Sequence, residues 1–109
     1  MVGFVITPPL VQSMDIVVTP SNPQLPGTQV AISATNVSGG SGTYRYQFWL
    51  KDTSGVYTLV QPYSSSNVFN WDTTGLAAGT YSVAVQVQSL GSITPSGFDF
   101  EKVVNFTVL

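Results

Sequence analysis

Apolar and polar residues alternate along most of this chain with a period of two, and Val, Ile, Thr, Tyr and Phe fill the periodic runs. That period sets successive side chains on opposite faces of an extended backbone, so it predicts strands rather than helices. Asp15–Thr19 reads as a short first strand, closed by Pro20, Pro23 and Pro26, whose fixed φ and missing N–H bar a continuing ladder. Thr28–Thr35 follows as a second strand with Val30, Ile32 and Ala34 on one face, and the glycine-rich Ser38–Thr43 then turns the chain.

Tyr44–Lys51 carries the clearest alternation. Tyr44, Tyr46, Phe48 and Leu50 fall on one face, read as core, while Arg45, Gln47, Trp49 and Lys51 fall on the other. Val56–Gln61 is expected as the next strand, ended by Pro62, and Val68–Trp71 sets Phe69 and Trp71 together on the core side. A connection through Gly75 and Gly79 leads into Tyr81–Ser89, where Tyr81, Val83, Val85 and Val87 alternate with Ser82, Ala84, Gln86 and Gln88. After a Gly91–Gly97 loop, Phe98–Leu109 is the last strand. Short strands at turn spacings of roughly 8–12 residues predict an all-β fold, an immunoglobulin-like β-sandwich of about seven antiparallel strands in two sheets. Leu76–Tyr81 fits a tyrosine corner, in which Tyr81 bonds back to the connection before it and fixes the crossing between sheets.

Length leaves room for one such domain: 1–13 as connector and first strand segment, 14–109 as the sandwich. The composition, 43% hydrophobic and only 7% charged against roughly 25% charged in ordinary globular chains, argues for a packed core and against disorder. Arg45, Lys51 and Lys102 are the only cations and the net charge is −2, so nucleic acid and membrane surfaces are poor partners. No run of about 20 apolar residues is present to insert into a bilayer. Without cysteine, stability rests on packing alone, which fits a bacterial surface protein better than a small animal ectodomain. Met1 to Leu10 lacks the basic start and apolar run of a signal peptide, so an export signal is expected outside this chain.

Tyr44-Arg45-Tyr46, Tyr57, and Leu76 to Tyr81 followed by Val83, Val85 and Val87 resemble the bacterial triple-tyrosine domain and the related PKD and fibronectin type III sandwiches. The resemblance covers Val30 to Ser89 and, more loosely, the final strand. It implies structural roles for Tyr44, Tyr46 and Tyr81, and a module strung in tandem within large exported bacterial proteins as spacer, adhesive unit or companion of sugar-degrading domains. Asp52-Thr53-Ser54-Gly55 only approximates the acidic, glycine-rich turn of PKD modules.

Catalytic chemistry has little to work with. Neither His nor Cys is present, which removes the usual general base, the commonest metal ligands and the thiol nucleophile. Asp99 and Glu101 lie two apart, as paired acids or as charges on a solvated edge strand, and the edge-strand reading is preferred. Asp15, Asp52 and Asp72 are too scattered for calcium, which wants six to eight oxygens, although a loop site at Asp52 or Asp72 stays open. Gly39-Gly40-Ser41-Gly42 lacks the lysine and helix of a phosphate loop. Two sequons, Asn36-Val37-Ser38 and Asn105-Phe106-Thr107, are read as chance matches.

Trp49 is the residue that invites a binding role. It should point outward between Gln47 and Lys51, where its ring offers a platform for a sugar, with Arg45, Gln47, Tyr57 and Tyr63 as candidate ligand contacts. The competing and preferred reading is that Trp49 packs under a strand, a loop or a neighbouring domain. A bulge in its strand would exchange Trp49 and Phe48 between faces, whereas Phe48 and Trp71 are otherwise assigned to the core. The leading expectation is a non-catalytic extracellular, cell-surface or periplasmic module, without cofactor or metal, that spaces or joins neighbouring domains of the same polypeptide. The alternatives are a polysaccharide-binding module using Trp49 and an adhesive domain that binds itself or another surface protein.

Overall fold

The computed structural model describes residues 10–91 and 97–109. Seven strands follow one another: β1 (Val11–Thr19), β2 (Gln29–Gly39), β3 (Tyr44–Lys51), β4 (Tyr57–Ser64), β5 (Val68–Asp72), β6 (Gly79–Ser89) and β7 (Phe100–Val108). They form two antiparallel sheets, β1-β2-β5 and β4-β3-β6-β7, stacked as an all-β sandwich.

The inward positions of both sheets meet in one core. Val30, Ile32 and Ala34 of β2 and Phe69 and Trp71 of β5 pack against Tyr46 and Phe48 of β3, the Tyr81–Val87 alternation of β6, and Phe106 and Val108 of β7. Trp71 makes edge contacts with Tyr81 and Phe106, each with ring centroids 5.5 Å apart, and Phe48 lies 5.9 Å from Phe69. Edge-to-face aromatic pairs stabilise beyond the area they bury. The Tyr81 hydroxyl donates to the Ala77 carbonyl at 2.8 Å, tying the β5–β6 connection to the start of β6. Tyr44 and Leu50, expected as core, are only half-buried, and the Tyr44 hydroxyl donates to the Gly39 carbonyl at 2.6 Å.

Several strand limits differ from those expected. β1 begins at Val11 rather than Asp15, because register shifts after Val11 and Ser13 break the two-residue period and bury both Val11 and Met14. Val11–Ser13, expected within the connector and first strand segment, belong to β1, and residues 1–9 of that expected segment lie outside the described residues. β2 runs on to Gly39 by pairing Ser38 with Ser13 and Gly39 with Val11. β4 passes through Pro62 to Ser64: it is an edge strand, and Pro62 falls within a register shift, where a missing N–H is tolerated. β7 starts at Phe100 and stops at Val108, slightly inside the expected span, and residues 92–96 of the expected Gly91–Gly97 loop lie outside the described residues.

β1 and β7 run side by side in the same direction. The start of β1 is tied to the residue before β7, since the Val11 N–H donates to Asp99 Oδ2 at 3.2 Å, and Lys102 Nζ reaches the Met14 carbonyl at 3.4 Å. At the far end Gln24 bridges in parallel to Val108, through Gln24 N–H to the Thr107 carbonyl and Leu109 N–H to the Gln24 carbonyl. That bridge closes the end of an otherwise open sheet edge.

Candidate binding face

The register of the four-stranded sheet decides which side chains share its outer face. β3 pairs with β6 without interruption from Tyr44↔Ser89 to Lys51↔Ser82, so the bulges of the β3–β4 pairing leave Phe48 inward and Trp49 outward. Phe48 is completely buried and Trp49 half-buried. Two cross-strand rows follow. Leu59, Trp49, Ala84 and Val103 make an apolar row across β4, β3, β6 and β7, and Gln47, Gln86 and Glu101 make a polar row beside it.

The polar row is a hydrogen-bonded relay. Gln86 Oε1 accepts from Gln47 Nε2 at 2.9 Å and from Trp49 Nε1 at 3.1 Å, and Gln86 Nε2 donates to Glu101 Oε2 at 2.7 Å. One amide thus holds the Nε1 edge of the indole. Beside it, Trp49, Tyr57, Ala84, Gln86 and Glu101 line an open hollow of about 220 Å³. Ala84 has the smallest side chain of the apolar row and lines the hollow together with Trp49. Lys51 Nζ stands 5.4 Å from the centroid of the Tyr57 ring, a cation already seated on that aromatic face.

Of the five residues expected to bind, Trp49 and Tyr57 therefore share the hollow. Gln47 does not line it but supports Gln86. Arg45 and Tyr63 are not among the residues that line the hollow; the guanidinium sits 5.6 Å from the Tyr63 ring centroid and donates to Gln88 Oε1 at 2.6 Å. The Tyr63 hydroxyl donates to the Gly97 carbonyl, and burial, with Asp99 as the next cause, pushes its pKa up to about 12. Ala84 and Gln86 were not singled out by their sequence positions, and Glu101 was read there only as one of two acids on an edge strand. They join the site through cross-strand register, a long-range property that strand alternation does not contain.

The remaining carboxylates serve the fold. Asp99 is half-buried rather than solvated on an edge strand, and its Oδ2 accepts the N–H groups of Val11 and Ser89, each at 3.2 Å. Glu101 instead faces Gln86, so the two acids have separate partners. Asp52 accepts from the Ser54 hydroxyl at 2.6 Å and from the N–H groups of Ser54 and Val56, closing the β3–β4 turn; the hydroxyl is the main cause that holds its carboxyl below the ordinary range. Asp72 is held down in the same way, first by the Thr74 hydroxyl at 2.6 Å. Asp15 accepts from Asn36 Nδ2 at 3.0 Å. Among the described residues no three Asp or Glu side chains converge as metal ligands. No family model, curated protein or solved structure matches the chain.

Proposed function

We propose that this chain is a non-catalytic module of an exported protein, expected to be bacterial, that spaces or joins the domains on either side of it. The observation that carries this reading is the parallel course of β1 and β7. The chain enters the sandwich at the pole where Val11 meets Asp99 and leaves it at the pole where Val108 meets Gln24. A domain threaded from pole to pole sets its neighbours in line, and each pole offers them apolar surface. Leu10 and Leu90 are exposed at the first pole, Leu25 and Leu109 at the second.

The strand division also supports the resemblance to PKD and fibronectin type III sandwiches. In constant-type immunoglobulin domains the fourth strand pairs with the fifth, whereas here β4 lies beside β3, giving sheets of three and four strands. The edges of the four-stranded sheet weigh against adhesion by strand addition there: β4 carries Pro62 and two register shifts, and the end of β7 is covered by Gln24. Small-angle scattering from one, two and three copies joined in tandem tests the spacer reading. A maximum dimension that rises by a constant increment per copy supports it; copies that fold back on one another, or associate between chains, would sink it.

A further inference from the structure

We propose that the hollow over Ala84 is a binding subsite for one neutral pyranose ring, with Trp49 as its stacking platform. Size is the first argument. Pockets for drug-sized ligands run to roughly 300–1,000 Å³, and an open hollow of about 220 Å³ is of a size to seat a single small ring. The second argument is preorganisation. Because Gln86 accepts the indole N–H, the ring is oriented before a ligand arrives, and little side-chain freedom remains to be lost on binding.

The lining also matches the chemistry of a sugar, which presents a C–H face and a belt of hydroxyls. Trp49 and the Ala84 methyl supply the apolar contact. Around them, Glu101 uses one oxygen for Gln86 and keeps the other as an acceptor, Gln86 keeps its second amide hydrogen, and the Tyr57 hydroxyl has no partner among the described residues. These three can both donate to and accept from hydroxyls. Charge narrows the class further. Glu101 repels acidic sugars, and Lys51 already occupies the cation position over Tyr57, so a quaternary ammonium ligand would have to displace it.

Affinity electrophoresis and intrinsic fluorescence with soluble glucans, galactans, mannans and xylans test the assignment. Trp71 is buried in the core, so a ligand-dependent change in emission reports on Trp49. Binding by at least one neutral polymer is expected. Trp49→Ala and Ala84→Val, the second filling the hollow while leaving both aromatic rings, should each weaken it roughly tenfold or more with the fold intact by circular dichroism. Should Ala84→Val fail to fold, Tyr57→Ala on the exposed edge strand replaces it with the same expectation. Neutral polymers that bind these variants as well as the wild type would place the site elsewhere. Absence of any response from all four polymer classes, or a response to choline or to polygalacturonate alone, would overturn the proposal.

Discussion

The Asp99 carboxylate accepts the backbone N–H of Val11 at 3.2 Å across 88 residues of chain, and the same oxygen accepts the Ser89 N–H at 3.2 Å. One half-buried acid therefore joins the first strand of one sheet to the end of β6 in the other. Hydrogen bonds to a charged group contribute about 1.5–3 kcal/mol, and removing the acceptor strands the donors it served. Asp99→Ala should lower unfolding free energy by about that amount, and Asp99→Asn, which keeps an acceptor oxygen, by clearly less. Urea denaturation of the three proteins reads the order; equal midpoints would show that the tie carries no stability.

The two tryptophans should part company on truncation. Trp71 is enclosed by Tyr81 and Phe106, whereas Trp49 lies half-buried on an outer face. Large-to-small changes of an enclosed aromatic cost about 3–5 kcal/mol, so Trp71→Ala should leave little folded protein. Trp49→Ala loses part of that contact and one hydrogen bond, and should cost less than about 2 kcal/mol. A Trp49→Ala loss as large as that of Trp71→Ala would make the outer face part of the core.

Those two fates were legible in the sequence because strand parity alone separates Trp49 from Phe48 and places Trp71 with Phe69. The tyrosine corner was legible for a similar reason: Tyr81 and its acceptor Ala77 are four residues apart. What escaped depends on pairing over long range. Gln86 joins Trp49 and Glu101 only once β3, β6 and β7 are in register, and Asp99 finds Val11 only when the sheets stack. Pro62 misled because a proline ends a central strand, and nothing local declares that β4 is an edge.

Gly40 and Gly55 separate backbone strain from steric conflict. Both hold positive φ, +70° and +89°, which costs a side-chain-bearing residue about 1–2 kcal/mol. A Cβ at Gly55 would meet nothing within 4 Å, but one at Gly40 would lie 2.8 Å from Ser89 Oγ, which accepts the Ser41 N–H at 2.7 Å. Gly55→Ala should cost about 1–2 kcal/mol. Gly40→Ala should cost more, because the Ser89 side chain must shift from its buried bonds. Thermal unfolding that ranks the pair in the opposite order would show that the β2–β3 turn relaxes freely.

Alkaline conditions should weaken the fold through Tyr63. Its pKa stands at about 12 in the folded chain against an ordinary value of 10.0, so between these values the unfolded chain gives up a proton that the folded chain retains. Stability is therefore fully present below pH 10 and falls as pH rises toward 12. Burial is the main cause, and the Asp99 charge adds to it. Tyr46, also raised by burial, contributes in the same direction, so Tyr63→Phe should flatten the alkaline decline without abolishing it. Urea midpoints from pH 9 to 11.5 for wild type and Tyr63→Phe measure the difference. Parallel declines would mean that Tyr63 ionises as readily folded as unfolded, and that its burial against Gly97 is too loose to hold the proton.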